Sequence, residues 1–117
     1  KSLHAGVATV LQEAATVYTP DPAISVGCLL VGTALPATVN DPEARRIYAG
    51  FIEGLERELT AATRERFAAD ALDLGKSPGQ VALLITSLIF SLAVRARAGV
   101  SRVELRRTAK NLAALVG

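Results

Sequence analysis

The sequence offers few side chains that could carry out chemistry, and the two most versatile types occur once each. Cys28 is the single cysteine and His4 the single histidine among 117 residues. A lone cysteine excludes an intramolecular disulfide, and a lone histidine excludes any metal site that needs two. No cation stands near Cys28 in the sequence to activate its thiol, so a small buried apolar role is favoured. His4 stands at the start of a helix, where an exposed, non-catalytic role is favoured.

No other constellation of residues points to catalysis. The sequence has no histidine-paired nucleophile, no cluster of metal ligands and no glycine-rich phosphate loop. Glu53, Glu56 and Glu58 are best interpreted as solvated charges on a helix. We therefore expect a protein that is not an enzyme and that needs no metal and no cofactor.

A basic cluster near the C-terminus admits two interpretations. Six cations stand against a single acidic residue, Glu104, over 16 positions, and they are Arg95, Arg97, Arg102, Arg106, Arg107 and Lys110. A phosphate-binding patch is one interpretation. The favoured one places the first two cations at a helix C-terminus and the others on the exposed face of the last helix. The cluster has no interleaved aromatic residues, which single-strand binders use.

A third group of residues has the mixed apolar and polar character of a small-molecule site. It would draw on three segments, with Cys28 and Val31 from one, Tyr48, Phe51 and Leu55 from the next, and Ile85 and Leu88 from another. A solid core uses the same residue types as an apolar cavity. The residues alone leave both interpretations open.

The composition defines the elements that must position these groups. Half of the residues are hydrophobic and the net charge is +2, which excludes intrinsic disorder. Aromatic residues make up 4% of the chain and tryptophan is absent, so the core must be aliphatic, which favours helices. The periodicity predicts five helices, spanning about Leu3 to Tyr18, Pro22 to Thr38, Pro42 to Leu72, Pro78 to Ala98 and Arg102 to Val116.

Capping residues support these boundaries. Asp21 and Asp41 each precede a proline, which is favoured in the first turn of a helix. Ser77 and Ser101 are each followed three residues later by Gln or Glu, the pattern of a capping box. Gly75 suits a left-handed position that ends a helix.

The fourth predicted helix is apolar on nearly every side. One broad face carries Val81, Ile85, Leu88, Ile89 and Leu92, and the nearly opposite face carries Leu83, Phe90 and Val94. A surface helix would be amphipathic, so both faces require cover. Its dense apolar part has 14 residues, fewer than the roughly 20 that a membrane span needs, which disfavours a membrane protein. A small domain cannot easily enclose such a helix, so we expect a second subunit to cover one face.

The last helix carries a matching apolar stripe. Two helices from each of two chains would form a four-helix contact, and twofold pairing is the commonest arrangement of soluble oligomers. The sequence therefore predicts an antiparallel helical bundle that homodimerises through its last two helices. The predicted interface consists of Leu83, Phe90, Val94, Leu105, Ala109, Leu112 and Val116.

The order and spacing of four segments resemble the C-terminal regulatory domain of TetR-family transcriptional repressors. These segments are Gly27-Cys28-Leu29-Leu30, Asn40-Asp41-Pro42, Arg95-Ala96-Arg97-Ala98-Gly99 and Ser101-Arg102-Val103-Glu104-Leu105-Arg106-Arg107. The resemblance covers essentially the whole chain, residues 1–117, as one ligand-binding and dimerisation domain. It implies a homodimer whose last two helices pair, and it favours a ligand pocket over a solid core.

The resemblance also implies a partner outside this chain. TetR-like repressors read operator DNA through an N-terminal helix-turn-helix head, and no residue here matches that head. We therefore expect a fragment that binds an apolar or amphipathic effector, touches DNA only through the missing head, and works in the cytoplasm. The alternative is a standalone dimeric helical carrier or interaction module without a DNA function.

Overall fold

The computed structural model describes residues 2–20 and 40–116, and all regular structure in those ranges is helical. The helices are α1 (Leu3–Tyr18), α2 (Pro42–Arg66), α3 (Ala68–Asp73), α4 (Pro78–Arg97) and α5 (Arg102–Val116). The predicted all-α class is confirmed. The helix predicted over Pro22 to Thr38 lies outside the described residues.

Side-chain caps begin the helices at the predicted positions. The Asp41 carboxylate accepts hydrogen bonds from the backbone amides of Glu43 and Ala44 at 3.0 and 3.3 Å. Ser77 and Gln80 form a complete capping box, with both reciprocal hydrogen bonds present. The Ser101 hydroxyl accepts from the Glu104 amide at 3.3 Å at the start of α5.

The third predicted helix is shorter than the sequence indicates, because the helix is interrupted at Phe67. Phe67 has φ −132° and ψ 17°, and the separate short helix α3 follows it. The prediction of one helix from Pro42 to Leu72 is therefore wrong at its C-terminal end. No proline or glycine marks the break, which instead directs the Phe67 ring onto α1. Gly75 then ends α3 at φ +70°, in the left-handed region as predicted.

The hydrophobic core lies between α1, α4 and α5. Its members are mainly aliphatic, namely Leu3, Val7, Leu11, Ala15, Ala71, Val81, Ile85, Ile89, Leu92, Ala96, Leu105, Ala109, Ala113 and Val116. Helix α2 packs along α4, yet Thr63 is the single fully buried residue that it contributes. In the N-terminal half of α2, Ile47 and Phe51 are exposed and Tyr48 is half-buried.

Polar contacts join both ends of α1 to the rest of the chain. The Leu3 amide donates to the Asp70 carboxylate at 2.8 Å, and the Arg102 guanidinium donates to the Thr19 carbonyl oxygen. Midway along α1, the Gln12 amide nitrogen donates to the Arg106 carbonyl oxygen at 2.9 Å. Helix α1 is therefore bonded to α3 near its start and to α5 along its length.

Helix α4 is the one described helix long and apolar enough to cross a membrane, judged by length and composition. In the chain, 44% of its most apolar window is buried against other helices. Val81, Ile85, Ile89 and Leu92 are buried and Leu88 is half-buried against the core, so the broad apolar face of this helix is covered within the chain.

Candidate functional site

A cavity of about 440 Å³ lies between the first half of α1, the C-terminal part of α2 and α4. Its size falls within the range typical of small-molecule sites. The lining is mostly apolar and consists of Leu3, Gly6, Val7, Thr9, Val10, Leu59, Ala62, Thr63, Arg66, Phe67 and Ile85.

Helical periodicity explains how α1 forms one wall of this cavity. Leu3, Val7 and Val10 recur at the i, i+4, i+7 spacing that places side chains on one face of a helix. Gly6 lies on the same wall, and a Cβ atom there would be 2.6 Å from the Phe67 Cζ atom. The absence of a side chain at Gly6 is what allows the Phe67 ring to approach the α1 backbone.

Three of the lining residues are polar, and two of them already have intrahelical partners. The Thr9 hydroxyl donates to the Ala5 carbonyl oxygen at 3.0 Å, and the Thr63 hydroxyl donates to the Leu59 carbonyl oxygen at 2.8 Å. The third is Arg66, an exposed residue in the last turn of α2. The cavity is thus an apolar chamber with a cation among its lining residues.

The structure does not bring the predicted pocket residues together. Ile85 lines the cavity, whereas the half-buried Leu88 packs against the core and Phe51 and Leu55 line a separate shallow groove. Cys28 and Val31 lie outside the described residues.

The predicted pocket aromatics instead form a cluster with α4. The Tyr48 and Phe51 ring centroids lie 6.5 and 6.3 Å from that of Phe90. Phe51 precedes Ala62 by 11 positions, which is about 16 Å along a helix, so the cluster and the cavity are separate features.

The contributions of α1 and Phe67 to the cavity lining were not predicted from the sequence. The periodic stripe of α1 was an available signal, but such a stripe indicates only that a face is covered. The position of the Phe67 ring depends on an interruption of the helix that no nearby proline or glycine predicts. The cavity therefore arises from the angle between helices, which the periodicity of each helix does not specify.

Burial divides the seven predicted interface residues into two groups. Leu105, Ala109 and Val116 are buried within the single chain, so they belong to its core and have no surface to offer a partner. This corrects their assignment: the stripe of α5 packs against α1. Leu112 is half-buried beside the same core.

The remaining three predicted interface residues lie on α4. Leu83 and Val94 are 57% and 54% exposed, and half-buried Phe90 contacts the aromatic residues of α2. Leu115, on α5, is 83% exposed. Exposed apolar side chains therefore occur on α4 and on other helices, where Val17, Leu72 and Val103 are exposed as well.

The basic cluster is partly structural. Arg102 is half-buried and bonded to Thr19, which corrects its expected place on the exposed face of the last helix. The Arg106 Nε atom donates to the Gln12 side-chain oxygen at 2.9 Å. Arg107 and Lys110 are exposed. These contacts favour the structural interpretation of the cluster.

Of the remaining polar side chains, Ser2, His4, Asp70 and Asp73 line one small open pocket. His4 is exposed, with its Nδ1 atom 3.1 Å from the Ala113 carbonyl oxygen. Glu53 and Glu56 line an open groove with Arg57 and Arg64. Within residues 2–20 and 40–116, no three potential metal ligands of the His, Cys, Asp or Glu types group together.

Comparisons with protein-family models, curated proteins and solved structures find no match to this chain. The cavity and the apolar α4 surface therefore carry the functional argument themselves.

Proposed function

We propose that the chain is the regulatory domain of a cytoplasmic TetR-like transcriptional repressor. In this proposal it is an antiparallel bundle that homodimerises, and it binds an apolar or amphipathic effector that relieves DNA binding by an N-terminal head. The observation that carries the proposal is the apolar cavity of about 440 Å³ between α1, α2 and α4.

The position of α1 supports a regulatory use of the cavity. Its first turns, from Leu3 to Val10, supply five of the lining residues. A DNA-reading head would precede α1, so an effector that moves this wall would also move the connection to the head. Such coupling requires the effector to bind the two arrangements of α1 with different affinity.

The outer surface of α4 supports the dimer. Leu83 and Val94 expose large apolar side chains on a helix that is otherwise mostly core. Exposed apolar surface of this kind favours association between chains. A twofold dimer would match a palindromic operator read by two heads.

Probe binding with a cavity-filling variant tests the ligand site. The fluorescence of 1-aminoanthracene, an apolar dye, should rise on binding to the parent chain. Ala62→Phe places a ring in the cavity and should weaken dye binding at least about tenfold, because the ring occupies space that the dye would otherwise fill. Ala61→Phe is the matched control, because Ala61 is the exposed neighbour on the same helix and does not line the cavity.

Two outcomes contradict the ligand site. Dye binding that is absent in the parent, or that is equally strong in both variants, would overturn it. Circular dichroism should first show that each variant is helical. If Ala62→Phe does not fold, Val10→Phe fills the same cavity from α1 and replaces it in the comparison.

The regulatory role is tested with the protein as it occurs in cells. Native mass spectrometry should give a dimer of chains much heavier than the 12.2 kDa of these 117 residues. The coding sequence before Lys1 should contain a helix-turn-helix pattern. An initiator Met directly before Lys1 would contradict the repressor and favour a standalone carrier.

A further inference from the structure

The hydrogen-bonding groups of the cavity between α1, α2 and α4 restrict the chemistry of its ligand. We infer that this cavity selects amphiphiles with an anionic carboxylate head and an apolar tail, and that Arg66 binds the head. The inference rests on the proposed ligand site and adds a substrate class to it.

The threonine hydroxyls of the cavity lining have no proton left to donate to a ligand. The Thr9 and Thr63 hydroxyls each have one proton, and each proton is already donated to the carbonyl oxygen four residues earlier. Both hydroxyls therefore offer a ligand only their oxygen lone pairs. The other lining side chains, Arg66 apart, are apolar or absent.

Arg66 supplies the hydrogen-bond donors that the threonines lack. It is the single ionisable residue among the described residues lining the cavity, and no carboxylate lies beside it there. Its guanidinium carries five N–H donors in a planar fork that matches a carboxylate with two parallel hydrogen bonds. Its exposed position places the charge in water, while the rest of the lining is apolar.

Together these features favour a carboxylate ligand over an alcohol or an alkylammonium with the same tail. A carboxylate accepts hydrogen bonds and carries the charge opposite to that of Arg66. An alcohol of the same length buries the same tail without the charge, and an alkylammonium would be repelled. The polarity of the cavity therefore orders the three classes as carboxylate, alcohol and ammonium.

The test compares three ligands that share a ten-carbon chain. Decanoate and decyltrimethylammonium, kept below their micelle concentrations, and decan-1-ol, kept below its solubility limit, compete with 1-aminoanthracene for the parent chain. We expect decanoate to bind at least about tenfold tighter than decanol, as a charge-assisted hydrogen bond allows. Arg66→Gln should remove this preference and leave decanol binding unchanged. Arg64→Gln, an exposed arginine on the same helix that does not line the cavity, should leave the preference intact.

The outcomes separate the inference from the proposed function. Equal binding of decanoate and decanol, or a preference that survives Arg66→Gln, overturns the carboxylate inference while dye binding keeps the ligand site. Tighter binding of decyltrimethylammonium overturns it as well. If neither the dye nor decanoate binds by calorimetry, the ligand site itself fails and the inference fails with it.

Discussion

Two buried threonines, Thr63 on α2 and Thr86 on α4, differ in their hydrogen bonding. The Thr63 hydroxyl donates to the Leu59 carbonyl oxygen, whereas the Thr86 oxygen has no hydrogen-bond partner among the residues that the structure describes. On the same helix as Thr86, the Ser87 hydroxyl donates to the Leu83 carbonyl oxygen of the preceding turn at 2.9 Å. Thr86 makes no such bond. An unpaired buried hydroxyl has lost its hydration without a replacement bond.

Replacing Thr86 by valine should therefore stabilise the chain. Thr86→Val keeps the branched shape and removes the unpaired oxygen, so the free energy of unfolding should rise by about 1 kcal/mol. Thr63→Val is the matched control and should lower it by up to about 1 kcal/mol, because a hydrogen bond is lost. Urea denaturation of both variants measures the difference. A loss of stability at Thr86 as large as at Thr63 would show that the Thr86 hydroxyl is bonded.

At the scale of the helices, two glycines in equally regular backbone have different surroundings. A Cβ atom at Gly50, in α2, would meet no heavy atom within 4 Å outside its own helix backbone, as far as the described part of the chain goes, and Gly50 is exposed. A Cβ atom at Gly6, in α1, would collide with the Phe67 ring. The missing side chain at Gly50 therefore only lowers the stability of α2. The missing side chain at Gly6 determines how closely the Phe67 ring approaches α1.

Alanine substitution at the two glycines should separate these roles. Gly50→Ala should raise the free energy of unfolding by up to about 1 kcal/mol, the usual difference in helix propensity. Gly6→Ala should gain less or lose stability, because the Phe67 ring must move. Thermal and urea unfolding of the two variants provide the comparison. An equal gain at both positions would mean that Phe67 is not held against α1.

These elements also show which parts of the fold the sequence could predict. Local signals are sufficient for helix starts, as Asp41 and Ser77 illustrate, because a cap depends on residues two or three positions away. The end of α2 was mispredicted because the break at Phe67 is stabilised by its packing on α1, more than 50 positions earlier. The lining of the cavity could not be predicted for the same reason, since it depends on which helices meet.

At the scale of the whole molecule, the helices form a thin arrangement. The Cα atoms extend over 41 × 35 × 17 Å, and the shortest extent is room for about two layers of helices. A helix in a two-layer arrangement has one side without a covering layer. For α4 that side carries Leu83 and Val94, so periodicity correctly indicated a second apolar face. Periodicity could not show that the stripe of α5 is covered by α1 within the same chain.

The oligomeric state should depend on the outer side of α4. We expect the parent to sediment as a dimer and Leu83→Glu with Val94→Glu to sediment as a monomer, because pairing would bury unpaired carboxylates. Both positions are exposed, so the double variant should keep its helical content.

The control for this experiment is Val17→Glu with Leu72→Glu, which also adds two charges at exposed apolar positions but on α1 and α3. This second variant should remain dimeric, because its charges lie away from α4. A general effect of added negative charge would instead weaken the dimer in both variants alike. A monomeric parent, or a dimer that persists in the α4 variant, would contradict pairing through α4. Sedimentation velocity over a range of concentrations distinguishes these results. A weak dimer dissociates on dilution. A dimer that pairs through another surface persists in the α4 variant.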